Sequence, residues 1–530
     1  MGKFIGRCSN NFGEDKSGYY VDKTGLIHYI NSTLNSKSRF TCISRPRRFG
    51  KTMALDMLDA YYNKAMDSKS LFTGMEIERL DPQLTNLNKF PVISFSAADF
   101  LTDATKDNYS QKLHELVSTI HDSLLSDISE EYSDYGIPVG GSLINYLVDV
   151  VSKTGEKFIM LIDEWDSILR EVEDTAVQKS YIDFLRSLFK SKFSKTVFAG
   201  VYITGILPIV KIDNDSAMND FWEYTVVNPM GLERYFGFTI EEVESLCSHS
   251  GFNLSELKDW YDGYMVGRLT SVFSPNSVIR ALTSGYCRSY WTTSRSYESI
   301  KVYISMNFDG LKDSILELLA GGRCYVNVDK FSNNLKNIGS RDDVLTILIH
   351  LGYLSYDYTD SKAFVPNKEV EIELRNAVEA SNYGRIAVAV SRSEKLLEYT
   401  LALDEQHVAE GLEQVHDEEV PILSYNNEES LAYSIRLAYS SSINYYKIYR
   451  ECKAGKGYAD LVFIPLPNVK KSAIIIELKY DKSVESAIKQ IKEKKYPSGL
   501  IDYTGEVILV GINYDRKTKK HSCIIEKFIK

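Results

Sequence analysis

At 530 residues the chain is too long for a single hydrophobic core, and its length is typical of about three domains. An apolar content of 44% with 25% charged residues excludes a wholly disordered protein. The net charge of −10 excludes a histone-like protein that coats nucleic acid, although residues 470–530 carry 14 Lys/Arg against 8 Asp/Glu, a local balance of +6.

The first segment, residues 1–295, alternates short apolar runs with longer amphipathic stretches. The apolar runs are FTCIS (40–44), FPVISFS (90–96), KFIMLID (157–163) and VFAGVYITG (197–205). Short buried strands that alternate with helices are typical of a parallel sheet with both faces covered. We therefore predict an α/β domain in this segment, with strands at the four apolar runs.

The rest of the chain shows two further patterns. Residues 296–395 are mostly helical and end in DDVLTILIHLGYLSYD and KAFVPNKEVEIEL, which indicate a helix and two short strands in a small winged-helix-like unit. Residues 396–530 open with helices, and three strand-like runs follow at ADLVFIP (459–465), SAIIIELKY (472–480) and EVILVGINY (506–514), with a helix before the third. We predict three domains with boundaries near residues 295 and 395.

A strand, a loop and a helix at residues 40–58 resemble a phosphate-binding loop. Gly50, Lys51 and Thr52 supply the second half of G-x-x-x-x-G-K-[ST], while Arg45 stands where the motif has its first glycine. The glycine lets backbone N–H groups approach phosphate, the lysine meets the β- and γ-phosphates, and the hydroxyl holds Mg²⁺. A GKT triplet also arises by chance, but its position between a buried strand and a helix favours nucleotide binding.

The run FIMLIDEWD would complete that site, because ligands of open α/β sheets bind at the carboxyl ends of strands. Asp163 would hold Mg²⁺, and Glu164 would orient and deprotonate the attacking water. Thr204, at the end of the fourth run, fits a γ-phosphate sensor and equally a hydroxyl that caps a strand end. The residues predicted to bind ATP and its Mg²⁺ are Arg47, Arg48, Gly50, Lys51, Thr52, Asp163 and Thr204.

The segment GKGYADLVFIP followed by AIIIELKY suggests a second, catalytic site. Glu477 and Lys479 stand two apart on a predicted strand, so their side chains share one face, and Asp460 comes from the neighbouring strand. Two carboxylates suit Mg²⁺, and Lys479 can orient water and offset negative charge in a nuclease reaction. An i,i+2 surface ion pair is the alternative, but charges inside so apolar a run are costly unless a site or a partner requires them.

Two further positions fit that site less specifically. Glu428, at the head of the helical pattern NNEESLAYSIRLAY, is a candidate additional metal ligand, with Glu429 as the alternative. Either acid equally suits the positive end of a helix dipole. Gln490, on the predicted helix after Lys479, would face the same cleft.

Taken together, these motifs resemble the bacterial and archaeal AAA-ATPase-like family that is fused to a C-terminal PD-(D/E)XK nuclease domain. The resemblance covers almost the whole chain and is most specific at SRPRRFGKT (44–52), so that the missing glycine is a family trait. It implies a restriction-endonuclease-like C-terminal fold, ATP binding through Lys51 and Thr52, and a nuclease core of Asp460, Glu477 and Lys479. The further matching stretches are YYVDKTGLI (19–27), LIDEWD (161–166), ITGILPI (203–209), YFGFTIEEV (235–243), WYDGY (260–264), FSPNSVI (273–279), GYLSYD (352–357), VPNKEV (365–370), GKGYADLVF (455–463) and IIIELKYDKS (474–483).

One feature departs from related nucleases. The aromatic residue after Gln490 is Tyr496, whereas the QxxxY motif of some of those enzymes has it four residues on. A role for a tyrosine on that helix therefore does not carry over directly.

The dispersed cysteines and histidines argue against a zinc site or a disulfide framework. The seven cysteines form no CxxC, and the N-terminal residues MGKFIGRCSNNFGEDK contain no apolar segment. We expect a cytoplasmic protein with ATP and nucleic acid, in particular DNA, as partners and no membrane partner, and homo-oligomerisation stays open. The function we predict is an ATP-regulated, metal-dependent DNA endo- or exonuclease. The alternatives are a signalling or scaffold ATPase whose nuclease-like domain only binds nucleic acid or a protein, and a protein that binds nucleotide without hydrolysing it.

Overall fold

The computed structural model describes most of the chain, with short gaps. The described residues are 2–6, 10–104, 109–209, 218, 220–267, 270–291, 302–306, 308–319, 321–331, 338–379, 384–419, 428–439, 441–442, 445–454, 457–466, 469–499, 503 and 505–528. They divide into two compact units. The first unit comprises Met1–Thr293 and Tyr325–Val370, and the second comprises Ser294–Cys324 and Glu371–Lys530. The three-domain boundaries near residues 295 and 395 stay a prediction.

Fifteen named strands occur within the described residues. They are β1 Phe40–Ser44, β2 Val92–Ser96, β3 Phe158–Asp163, β4 Phe198–Gly205, β5 Trp222–Tyr224, β6 Tyr264–Val266, β7 Thr270–Val272, β8 Cys324–Tyr325, β9 Ser355–Asp357, β10 Lys362–Phe364, β11 Tyr446–Ala454, β12 Gly457–Pro465, β13 Ala473–Tyr480, β14 Val507–Asp515 and β15 Lys520–Phe528.

The α-helices fall mostly between strands. In the first unit they are Asn11–Asp15, Gly25–Thr33, Lys51–Tyr62, Lys69–Phe72, Glu76–Leu80, Ala97–Ala104, Tyr109–Glu131, Leu143–Thr154, Ser167–Glu171, Thr175–Phe189, Ser194–Val197, Ile240–Ser250, Leu254–Tyr261, Pro275–Ser284 and Arg341–Leu351. In the second they are Leu311–Leu319, Gly384–Leu401, Glu405–Glu419, Glu428–Ala438 and Val484–Glu493, and Lys368–Glu379 begins in the first unit and ends in the second. None of the helices in the described ranges combines the length and the apolar character that a membrane crossing requires.

The first unit is built on a five-stranded parallel sheet in the order β2-β3-β4-β1-β5. The four predicted apolar runs are its first four strands, and β1, β3 and β4 are buried along their whole length. One face packs against helices such as Tyr109–Glu131 and Leu143–Thr154, and the other packs against helices such as Lys51–Tyr62. The prediction of a parallel sheet covered on both faces is confirmed.

The small elements that follow this sheet agree with the predicted helix and strand pair. The helix Arg341–Leu351 ends at Gly352, which adopts a left-handed φ of 88°, and β9 and β10 form an antiparallel hairpin after it. Glycine accepts this backbone conformation without strain, so it terminates the helix.

The second unit contains a mixed five-stranded sheet in the order β11-β12-β13-β14-β15. Only β13 and β14 are parallel, and the helix Val484–Glu493 connects them. One sheet face packs against the helices that precede the sheet in sequence, and the other packs against Val484–Glu493. The second face matters most, because the charged residues of β13 lie on it.

Candidate functional sites

The loop between β1 and the helix Lys51–Tyr62 has the backbone that phosphate binding requires. Gly50 immediately precedes the helix with a left-handed φ of 83°, and no atom lies within 4 Å of the place where a Cβ would stand. The glycine is therefore needed for its backbone conformation and not for space. The helix points its first N–H groups, and the positive end of its dipole, toward the loop.

Lys51 turns its side chain into the loop. Its Nζ donates to the carbonyl oxygens of Arg45, at 3.1 Å, and of Pro46, at 2.9 Å. Burial lowers the pKa of Lys51 to about 8. The ammonium group thus lies inside the loop, where its charge is poorly solvated and a phosphate would be a strong partner.

Arg45, at the position of the missing first glycine, stabilises the loop through buried hydrogen bonds. Its side chain is fully buried, and Nη1 donates to the carbonyl oxygens of Ser44, at 2.9 Å, and of Tyr224, at 2.8 Å. The guanidinium also lies 5.1 Å from the ring centre of Phe236. This arginine contributes to the structure of the loop, which explains how the motif tolerates a long side chain there.

The two neighbouring arginines make contacts at the rim of the loop. Nη2 of Arg47 lies 4.0 Å from a carboxylate oxygen of Glu171, and Arg48 donates from Nη1 to the carbonyl oxygen of Tyr290. Arg48 also has a left-handed φ of 69°, which is strained for a non-glycine residue. Their predicted contact with nucleotide phosphates stays a prediction.

Asp163 is the point at which the predicted nucleotide-site residues meet. One of its oxygens accepts a 2.6 Å hydrogen bond from the hydroxyl of Thr52. The other accepts from the hydroxyl of Thr204 and, at 2.9 Å, from the backbone N–H of Glu164. The carboxylate of Asp163 therefore joins residues from the ends of β3 and β4 and from the start of the helix Lys51–Tyr62.

Glu164 has two unusual properties. Its φ of 45° lies in the left-handed region, and such strain in a non-glycine residue is frequent at functional sites. Burial raises the pKa of its carboxyl group, whereas the positive charge of Arg170 opposes that rise. A half-buried carboxylate beside the phosphate-binding loop is suited to accept a proton from water.

The structure places two further residues beside this site, Asp166 and Arg170, which no sequence motif had indicated. Oδ2 of Asp166 accepts from the backbone N–H groups of Ile206, at 3.1 Å, and Leu207, at 2.9 Å, and from Nε of Arg170, at 2.9 Å. Asp166 thereby ties the segment after β3 to the segment after β4. The only sequence indication was the second aspartate of LIDEWD, a short apolar-to-acidic run with no diagnostic spacing.

In the second unit, Asp460, Glu477 and Lys479 share one face of the sheet. The antiparallel register pairs Val462 with Ile475, so two residues earlier on β12 Asp460 stands opposite Glu477. Lys479 follows two residues later on β13, and this face is the one covered by the helix Val484–Glu493. The predicted common face of the three residues agrees with this arrangement.

The contacts within the trio are short. Nζ of Lys479 donates to Oε1 of Glu477 at 2.7 Å, and their side chains are only 10% and 3% exposed. Oδ2 of Asp460 accepts from the backbone N–H of Leu478 at 2.7 Å. A surface ion pair is excluded as the explanation of this motif, since both members of the pair are buried.

Gln490 and Tyr496 meet beside the trio despite their unusual spacing. Nε2 of Gln490 lies 3.1 Å from the hydroxyl of Tyr496, which donates to the carbonyl oxygen of Tyr458 at 2.7 Å. Tyr496 lies in a short 3-10 helix, Tyr496–Gly499, beyond the end of Val484–Glu493. Burial raises the pKa of Tyr496, and the negative charges of Glu477 and Asp460 raise it further.

The supporting acid cannot be placed. The helix Glu428–Ala438 begins at Glu428, as predicted, but the side chains of Glu428 and Glu429 lie outside the described residues. Within the described part of the chain, no three Asp, Glu, His or Cys side chains converge on one metal position. Asp460 and Glu477 nevertheless offer the oxygen ligands that Mg²⁺ binds through one or two carboxylates and several waters.

Comparison with known proteins identifies both regions. Residues 10–214 match the family described as AAA-ATPase_like, "Predicted AAA-ATPase", and residues 426–523 match the PD-(D/E)XK nuclease superfamily. The chain therefore carries an AAA-ATPase-like domain followed by a domain of that nuclease superfamily. This confirms the resemblance inferred from the sequence motifs.

Two individual proteins show weaker similarity. The "Uncharacterized protein in vnfD 5'region" of Azotobacter chroococcum mcd 1 is 26% identical over 282 residues, which are 52% of this chain and 50% of that protein. The chain thus spans about half the length of this curated relative. The Aeropyrum pernix ORC2 protein (ADPNP-ADP complexes) aligns with 71% of this chain and 99% of its own at 12% identity, but the TM-score of 0.32 is too low to support an argument.

Proposed function

We propose that this protein hydrolyses ATP in its first unit, cleaves nucleic acid in a divalent-metal-dependent reaction in its second, and uses its nucleotide state to regulate cleavage. The observation that carries the proposal is the buried pair of Glu477 and Lys479 inside a strand of Ile and Leu residues. Burying two charges costs several kcal/mol for each charge before their mutual attraction is counted. Such a cost is typical of residues retained for chemistry.

In the ATPase half, each residue has a defined task. Lys51 would bind the β- and γ-phosphates inside the loop, and Thr52 and Asp163, already hydrogen-bonded to each other, would hold Mg²⁺. The bound ion would neutralise phosphate charge. Glu164 would orient a water molecule and take its proton, and Thr204 would keep Asp163 in position. The half-buried state of Glu164 supports this assignment, because burial favours proton uptake.

In the nuclease half, Asp460 and Glu477 would hold a Mg²⁺ ion through their carboxylates, with Glu428 as a candidate third acid. The ion would polarise the scissile phosphate and lower the pKa of a bound water. Lys479 would orient that water and offset the charge on the phosphate oxygens. Gln490 and Tyr496 would keep the carboxylates in place through the hydrogen bonds that end on β12.

DNA in the cytoplasm is the substrate and location we infer. The local balance of +6 at residues 470–530, on a chain with a net charge of −10, supports a phosphate-facing second unit. The dispersal of seven cysteines without a CxxC supports a reducing compartment. Self-association is compatible with the proposal and is not required by it.

The decisive experiment measures cleavage and ATP turnover in one preparation. Linear, circular and single-stranded DNA, and RNA, would be incubated with Mg²⁺ or Mn²⁺ in the presence of ATP, ADP or no nucleotide. We expect Lys51→Ala to lose tight ATP binding, and Glu164→Gln to bind ATP but hydrolyse it about 100-fold or more slowly. Asp460→Asn should bind DNA without cutting it.

Two outcomes would contradict parts of the proposal. Unchanged nucleotide affinity in a folded Lys51→Ala protein would refute the phosphate-binding assignment. A wild-type protein that binds DNA but never cuts it, in any nucleotide state and with either metal, would refute the nuclease activity and favour a binding module.

A further inference from the structure

Arg170 is held in a fixed position beside the nucleotide site. It lies on the short helix Ser167–Glu171, and its Nε donates to Oδ2 of Asp166 at 2.9 Å. The side chains of Arg170 and Asp166 are only 8% and 1% exposed. Asp166 also accepts from two backbone N–H groups after β4, so the carboxylate that holds the guanidinium is itself fixed between the segments that follow β3 and β4.

The anchoring leaves part of the guanidinium without a partner. Nη2 is buried and has no hydrogen-bond partner among the residues that the structure describes. Nη1 makes a long contact of 3.4 Å with Oε1 of Glu171, whose side chain is half exposed. A buried donor without a partner costs about 1–3 kcal/mol, and more when it is charged, so retaining it here requires a benefit elsewhere.

The contacts of Arg170 also connect it to the phosphate-binding loop. Oε1 of Glu171, which Nη1 of Arg170 contacts, also lies 4.0 Å from Nη2 of Arg47 in that loop. Lys51 belongs to the helix after the phosphate-binding loop and Glu164 to the turn after β3. Arg170 follows that turn on the helix Ser167–Glu171, and its contact with Glu171 places it near the loop residue Arg47.

We propose that Arg170 binds the terminal phosphate of ATP within its own chain and stabilises the negative charge that develops there during hydrolysis. The inference rests on the proposed ATPase function. In the reaction, a water oxygen bonds to the γ-phosphorus while the bond to the ADP oxygen breaks. Glu164 takes the proton of that water, and ADP and inorganic phosphate leave. The planar fork of an arginine suits two phosphate oxygens, so one chain supplies its own cation without a neighbouring subunit.

The alternative is that Arg170 only neutralises the surrounding carboxylates. The two roles predict different effects on the affinity for ADP, which lacks the terminal phosphate. The test compares the affinities of Arg170→Gln and wild type for ADP and for a non-hydrolysable ATP analogue, together with ATP turnover and thermal stability. Arg186→Gln is the matched control, because Arg186 is a partly exposed arginine on Thr175–Phe189 that pairs with Asp183 at 3.3 Å.

We expect Arg170→Gln to bind ADP within about twofold of wild type but the analogue about tenfold more weakly. Turnover should fall about 100- to 1,000-fold, toward the lower end of what arginines at transferring phosphates contribute. Arg170→Lys should show smaller losses of analogue affinity and of turnover. Because it keeps a buried cation beside Asp166, it serves as the second variant if Arg170→Gln does not fold. Arg186→Gln should match wild type in every measurement.

The outcomes separate this inference from the proposed function. Equal losses of ADP and analogue binding, with a lower melting temperature, would overturn the phosphate contact and leave a structural role. An Arg170→Gln variant that hydrolyses ATP as fast as wild type would also overturn the phosphate contact, but it would leave the proposed ATPase function intact. A wild type that binds both nucleotides without turnover would contradict the ATPase proposal alone, since the ratio of the two affinities still tests Arg170. A chain that binds neither nucleotide would overturn both.

Discussion

Replacing Glu477 by Gln separates structural from chemical roles in the buried pair. Lys479 would lose its carboxylate partner at 2.7 Å while remaining in a side-chain environment that is only 10% exposed. Breaking a buried pair on one side costs about 3–5 kcal/mol, because the remaining charge is left uncompensated. In a unit of roughly 190 residues, each kcal/mol lowers the melting temperature by about 2–4 °C. The transition of the second unit should therefore fall by about 6–20 °C.

The double variant Glu477→Gln with Lys479→Met provides the control. It removes the stranded charge and keeps similar side-chain volumes, so that most of the lost stability should return. Cleavage of DNA should stay absent, because neither the metal ligand nor the lysine is restored. Calorimetry of the full chain measures the transition, and a gel assay with Mg²⁺ measures cleavage.

Two results would refute this reasoning. A single variant Glu477→Gln that melts within about 2 °C of wild type would show that the pair is solvated or otherwise compensated, against its burial. A double variant that is stable and still cuts DNA would remove both residues from the chemistry.

Three further predictions follow from the described contacts. Burial lowers the pKa of His350 to about 4, so between about pH 4 and 6.5 the unfolded chain binds more protons than the folded chain, and stability falls as the pH drops through that window. In urea titrations, wild type should lose about 2 kcal/mol of unfolding free energy between pH 6.5 and 4.5 relative to His350→Phe. Parallel pH dependences of the two proteins would contradict the assignment. A Cβ at Gly511 would stand 3.0 Å from the side chain of Ile488, so Gly511→Ala should push the helix Val484–Glu493 away from the sheet. The variant should lose about 1–3 kcal/mol of stability and cleave less. An unchanged melting temperature would show that the helix moves without cost. Thr204→Val keeps the side-chain volume but removes the hydrogen bond to Asp163. ATP turnover should fall about 10- to 100-fold while ADP binding is retained. Unchanged turnover would leave Thr204 with only a strand-capping role.

Most of the central strands were predictable because their burial is continuous. Runs such as FTCIS and the AIII of β13 are largely apolar on both faces, as is typical of a strand buried between two layers. Three edge strands, β5, β11 and β15, were not predicted, whereas the edge strand β2 was. β5 has only three residues, and β11 and β15 mix charged with apolar residues, a composition that is also common in exposed loops and helices.

The local arrangement of the candidate sites was determined by the sequence itself. A glycine, lysine and threonine between a buried strand and a helix must lie at the helix N-terminus, and residues two apart on a strand must share a face. These relations depend on backbone geometry over a few residues. They placed Lys51 with Thr52, and Glu477 with Lys479, before any fold was known.

Only the tertiary structure decided which distant groups complete the sites. The hydrogen bond from Arg45 to Tyr224 depends on the order of the strands in the sheet. The hydrogen bond between Gln490 and Tyr496 depends on where a helix ends. The bonds from Asp166 to the segment after β4 depend on β3 and β4 being neighbours in the sheet. A hydrogen bond requires its two atoms within about 3 Å of each other. Sequence spacing does not specify such a distance across tens of residues, because it is set by the packing of whole elements against one another.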